Sequence, residues 1–220
     1  MPFPTPRTLA ALAAALLVSA PAFARNPPIA VDPTEGVWIG GADHFIQQSV
    51  DRFCVFPAPA AVNKLTVDGK TLWIATDDGV VRFDSGSRRP ARLTMDDGLP
   101  SQSVSAVAYD DKYVWFATNK GLVRYRKLDR AMRVYTEEDG LPHKAVNDAL
   151  TIGRQVWFAT RAGVAFHDPD VDGLRAFANT DGLVGDDFLE LFQLADDVWV
   201  RTDVGLSRIR PKARGERTGG

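Results

Sequence analysis

Trp73, Trp115, Trp157 and Trp199 follow one another at intervals of 42 residues, and their neighbours repeat with them. The four segments read Leu72-Trp73-Ile74-Ala75-Thr76, Val114-Trp115-Phe116-Ala117-Thr118, Val156-Trp157-Phe158-Ala159-Thr160 and Val198-Trp199-Val200-Arg201-Thr202. A glycine stands six residues after each tryptophan, at Gly79, Gly121, Gly163 and Gly205, and Asp-Gly-Leu recurs at Asp97-Gly98-Leu99, Asp139-Gly140-Leu141 and Asp181-Gly182-Leu183. Trp38 precedes Trp73 by 35 residues and marks a shorter, degenerate first copy. A period of this length means either helix pairs or four-stranded blades.

The residues around each tryptophan decide between the two. They are short runs of β-branched and aromatic residues bounded by Asp, Asn and Gly, which is strand chemistry, and helical spacing is absent. One period reads as strand A in Ser103–Ala108, an Asp-rich turn at Asp110-Asp111, strand B in Val114–Thr118 and a tight turn ending at Gly121. Strand C follows in Leu122–Tyr125, then a polar turn at Lys127–Arg130 and strand D in Met132–Tyr135 before the Asp-Gly-Leu loop. The expected fold is therefore all-β, a β-propeller of about five four-stranded antiparallel blades, possible as an open or incomplete ring. In the first blade, strand A falls at Ile29-Ala30-Val31. The last blade offers A near Phe188–Leu194, B at Val198–Thr202, C at Leu206–Ile209 and no D strand. Arg201 replaces the small residue of Ala75, Ala117 and Ala159, so the last face is expected to lie uncovered, which favours a partner chain or self-association.

Before the repeats, Arg7, an apolar run from Leu9 to Val18 and Ala22-Phe23-Ala24 have the order of a secretory signal peptide cut after Ala24. The expected organisation is a signal peptide over 1–24, a propeller over 25–210 and a disordered tail over 211–220, with a periplasmic or secreted location. The 196 residues after that cut carry a net charge of −3 with both signs interspersed, which argues against a nucleic-acid partner or an anionic-membrane surface, and with no second apolar stretch no direct membrane anchor is expected. Cys54 is the only cysteine, so no internal disulfide forms, and it is expected as a small core residue.

The blade pattern Leu-Trp-Ile-Ala-Thr-x-x-Gly-Val-x-Arg-Phe-Asp at Leu72 to Asp84, followed by Asp97-Gly98-Leu99-Pro100-Ser101, resembles the two-component regulator propeller repeat, from about Val37 to Ile209. That resemblance implies an extracytoplasmic ligand-sensing propeller, a kind joined in the family to a membrane helix and a histidine kinase. Nothing after Pro211 reads as either, so the expectation is a sensor-accessory or ligand-binding module that signals through a partner such as a membrane sensor.

Positions constant in every copy serve the blade, and positions that vary are candidates for function. The B–C turns and D–A loops are expected on one face. Their variable residues are Asp77 and Asp78, Asn119 and Lys120, Arg161 and Ala162 in the turns, with Gln102, His143 and Lys144, Asp186 and Asp187 in the loops. Loops on a rigid scaffold carry binding residues. The candidate ligand set is Asp77, Gln102, Asn119, Lys120, His143, Lys144, Arg161 and Asp186, suited to a small polar or anionic ligand. Catalytic, metal and cofactor motifs are not found. His44, His143 and His167 occupy unrelated places in the repeat, with His167 at the end of a C strand on the other face. Asp168, Asp170 and Asp172 alternate like a calcium loop but lack the closing acid. The chain is expected not to be an enzyme. The alternatives are a propeller lyase or hydrolase using His143 with Asp186 or Asp187, and a structural assembly adaptor.

Overall fold

The computed structural model describes residues 27–34, 36–49, 53–170, 172–195 and 197–210. The segment read as a signal peptide and the tail lie outside them. Within this range the repeat becomes strands in sequence order, arranged as four four-stranded sheets and one three-stranded sheet. Among the described residues no helix is long and apolar enough to cross a membrane.

Two compact units divide the chain, one ending at Val107 and the other starting at Ala108. In the first, β1 (Ile29–Asp32), β2 (Gly36–Gly40), β3 (His44–Gln48) and β4 (Phe53–Pro57) form one sheet. The next sheet is β5 (Val62–Asp68), β6 (Thr71–Thr76), β7 (Gly79–Asp84) and β8 (Pro90–Leu93). The division falls within β9 (Val104–Tyr109), the A strand of the third blade. The second unit continues with β10 (Tyr113–Thr118), β11 (Gly121–Arg126) and β12 (Met132–Tyr135). After these come β13 (Val146–Ile152), β14 (Gln155–Thr160), β15 (Gly163–Asp168) and β16 (Gly173–Phe177), then β17 (Phe188–Leu194), β18 (Asp197–Thr202) and β19 (Leu206–Ile209). Sequential neighbours pair antiparallel, as the short turns require.

The B strands β6, β10 and β14 are buried on both faces from their second residue onward. In the first unit Trp38 meets Phe83 edge-on, with centroids 5.5 Å apart, in a cluster with Phe45, Leu65, Leu72 and Ile74. In the second, Trp115 packs on Phe158 at 5.2 Å, and Trp157 joins Phe188, Leu191, Val198 and Ile209 in one cluster. Trp199 departs from the pattern and is only half-buried, beside an exposed Arg201 that pairs with Glu190 across strands at 3.1 Å. Cys54 is not a core residue. It sits half-buried on β4, where Arg88 approaches its Sγ at 3.6 Å, because that outermost strand alternates between exposed and partly buried positions.

The constant Thr and Gly have one shared duty. Thr76, Thr118, Thr160 and Thr202 each donate a hydroxyl hydrogen bond to the carbonyl of the glycine three residues on, and accept from the backbone N–H two residues on. This side-chain brace closes the B–C turn of each 42-residue copy, while the first blade's turn, without a threonine, is closed by Gly41 N donating to His44 O. Gly79 is required twice over: its φ is +89°, and a Cβ there would run into the carbonyl oxygen of Leu93. The repeated Asp-Gly-Leu has a matching device. Asp97, Asp139 and Asp181 each accept from the backbone N–H three residues earlier, at 2.9, 3.0 and 2.9 Å, capping short 3-10 turns.

Candidate functional site

Hydrogen bonds tie the B–C turns to the D–A loops, so the two kinds of loop share one face within each unit. Asp77 N donates to Ala61 O and Gly79 N to Gln102 O in the first unit; Arg161 N donates to Ala145 O and Asp203 N to Asp187 O in the second. On that face the first unit carries Asp77, which accepts from Asn63 at 2.9 Å, and exposed Gln102. In the second unit Asn119, Lys120, Lys144, Arg161 and Asp186 all point into solvent, while His143 is half-buried. The His143 Nδ1 accepts from Ala145 N at 2.9 Å, and the Lys144 backbone is held by Glu137 at 2.8 Å. Their main chains are thus braced, and their side-chain ends are available.

A second candidate lies at the opposite ends of the strands in the second unit, where the A–B and C–D turns emerge. A cavity of about 390 Å³ opens there, lined by Tyr109, Asp110, Tyr113, Thr151, Arg154, His167 and Asp172 among others. That size is at the lower end of small-ligand pockets. The repeat explains why this place differs. Along the C strands the position of His167 holds Gln48 in the first copy and Phe83, Tyr125 and Ile209 in the second, third and fifth, and the left-handed turn position of Asp172 (φ +47°) holds Arg88 and Arg130 in the second and third. Among the four copies of the 42-residue period only the fourth blade puts a histidine into this buried column, and among the described turns only it places a carboxylate at that position.

His167 is buried against Trp115, with centroids 4.7 Å apart. Its Nε2 faces Asp172 Oδ1 at 3.3 Å, and its Nδ1 has no hydrogen-bond partner and lies 4.0 Å from Asp110 Oδ2. Asp110 is fixed by three donors: the backbone N–H groups of Lys112 and Tyr113, both at 2.8 Å, and Trp115 Nε1 at 2.9 Å. Asp172 also takes Arg124 at 2.6 Å, whose guanidinium stands 4.5 Å over Tyr113, 5.4 Å over Tyr135 and 5.8 Å over Trp115. Burial pushes the Asp172 carboxyl up, but hydrogen bonds from His167 and Arg124 outweigh it and hold it below the ordinary carboxylate range. Burial also raises the Tyr135 hydroxyl.

The sequence placed His167 on this second face and read Asp110 as a turn residue. It did not bring the two together with Asp172, because their meeting depends on one sheet packing on the next. The signal was present in the aligned copies, as a histidine in a column of apolar residues. Among the described residues no three His, Cys, Asp or Glu side chains converge tightly enough to hold a metal ion.

No protein-family profile matches the chain. No curated protein matches it. Solved structures do. The extracellular domain of the hybrid two component system BT3049 from B. thetaiotaomicron superposes with a TM-score of 0.69 at 15% identity, covering 86% of this chain and 29% of that one. The extracellular domain of BT4673, also a hybrid two component system of B. thetaiotaomicron, gives 0.70 at 18%, covering 87% and 27%. The chain thus spans less than a third of either. Virginiamycin B lyase from Staphylococcus aureus gives 0.61 at 15%, covering 86% and 71%. At such identities the likeness is one of fold. The chain is an all-β protein built of propeller blades, and it shares that fold with the extracellular domains of two-component systems, in line with the resemblance of its blade motif.

Proposed function

We propose that this chain is an extracytoplasmic ligand-binding module of the sensor type, not an enzyme. Its ligand is a small polar or anionic molecule taken by side chains of the B–C turns and D–A loops. The observation that carries this reading is the separation of brace from side chain. The B–C turns of the 42-residue copies are closed by the same threonine hydrogen bonds, while the two residues between Thr and Gly change from Asp77-Asp78 to Asn119-Lys120 to Arg161-Ala162. Residues the turn does not need are free to be chosen for a ligand. In the second unit the set holds three cations, Lys120, Lys144 and Arg161, against Asp186, which favours an anionic group. His143 spends its Nδ1 on a backbone N–H of its own loop, so it serves as a turn brace with one nitrogen left for a ligand.

A module of this kind passes its state to a partner such as a membrane sensor. Exposed Val184, Val204 and Leu206 around the last sheet offer apolar surface for that contact. A thermal-shift screen of sugars, peptides and organic anions tests the reading. A ligand present at 100 times its dissociation constant adds about 2.7 kcal/mol to stability. If turnover of a screened compound accompanied its binding, the chain would be an enzyme and this reading would fall.

A further inference from the structure

The geometry points to a second binding site, in the cavity beside His167, for a small zwitterion with the ammonium and carboxylate of an α-amino acid. The inner wall presents the Asp110 carboxylate and, 4.0 Å from it, the unpartnered Nδ1 of His167. In the tautomer that donates Nε2–H to Asp172, Nδ1 faces that carboxylate as a second acceptor. Nδ1 has no partner although His167 is only 2% exposed, and a buried polar atom left unmatched is costly. The group that answers both acceptors is a donor with several hydrogens, such as a primary ammonium. Asp110, with its side chain 11% exposed, is the reachable member of the pair.

The rest of the cavity complements such a ligand. Tyr109 and Tyr113 stand on its wall, where Lys127 and Arg124 already lie 4.9 and 4.5 Å over their rings, and add apolar surface for an aliphatic side chain. The exposed cations Lys112 and Arg154 line the cavity too, and Arg154 is only loosely engaged, 3.5 Å from Asp170. Carboxylates and a buried, unpartnered imidazole nitrogen within, with cations alongside, match a molecule carrying both charges better than a simple amine or a simple anion. The site is distinct from the loop face of the proposed function, being at the other ends of the same strands, and it stands or falls separately.

The test is titration of the full chain, with histidine ring nitrogens labelled with ¹⁵N, against the standard free L-amino acids at millimolar concentration. Each amino acid that binds is repeated as its N-acetyl derivative and as its amide. At least one free amino acid should bind and shift the His167 ring resonances, and acetylation should weaken it by at least about tenfold, about 1.4 kcal/mol. Amidation should weaken it less. His167→Phe, which restores the apolar side-chain type of Phe83, should abolish binding. His167→Gln serves the same purpose should the phenylalanine not be accommodated. Absence of any response from the His167 nitrogens, equal binding of the acetylated form, or full binding by a folded His167 variant would each overturn the site.

Discussion

Asp110 and His167, from consecutive blades of the second unit, face one another across 4.0 Å with nothing bonded between them, although each is otherwise held in place. A fold that needed only packing would carry an aromatic or aliphatic residue there, as Phe83, Tyr125 and Ile209 do in three of the other copies. Sites that break a local rule are where function is expected to cost stability.

That cost can be measured. His167→Phe removes an unmatched buried nitrogen, a penalty of about 1–3 kcal/mol, while giving up one contact to an exposed carboxylate. The variant should be as stable as the parent or more so in urea unfolding. A loss above about 2 kcal/mol would show that His167 is chiefly a structural residue.

Arg124 should matter more than an exposed ion pair does, because its guanidinium lies over three aromatic rings as well as against Asp172. Arg124→Ala is expected to cost about 1–2 kcal/mol, with Arg124→Lys recovering only part, since an ammonium lacks the planar face. Chemical denaturation of the two variants checks this.

The same pair sets an acid limit. The folded carboxyl of Asp172 lies below its ordinary value, so its contribution is fully present above the unfolded value of about 3.9 and fades as pH falls through the folded one. Glu137 and Asp139 shift the same way through backbone hydrogen bonds. Stability should therefore decline in acid. The difference between unfolding midpoints at about pH 7 and about pH 3 should be smaller in Arg124→Ala, which removes a cause of the shift. An equal difference would mean that Arg124 does not set the titration of Asp172.

Trp115 is fully buried, and Trp115→Ala should lose about 3–5 kcal/mol. A loss below about 1 kcal/mol in denaturant would contradict its place between two sheets.

Most of the scaffold was legible because propeller blades are local: each strand pairs with the next in the chain. Strands β12, β17 and β19 begin and end where alternation and the Asp-Gly-Leu spacing placed them, and the last sheet has three strands among the described residues. The aspartates before each glycine cap their own turns. What periodicity could not show was contact between neighbouring blades. The alternation that exposes one side of β4 left Cys54 half-buried, and only packed sheets bring Asp110 to His167. Trp199 shares the motif of Trp115 yet is half-exposed, since burial depends on what covers a sheet and not on its sequence alone.

Binding at the loop face is tested most directly by calorimetry on Lys144→Ala combined with Arg161→Ala, using a ligand found in the thermal-shift screen. Both side chains are exposed and their main chains are braced by other groups, so stability should stay within about ±0.5 kcal/mol. Affinity should fall by more than about 1.5 kcal/mol, because hydrogen bonds to charged groups contribute about 1.5–3 kcal/mol each. Unchanged affinity in the double variant, with binding lost only on changing His167, would contradict the placement and move the ligand to the opposite ends of the strands.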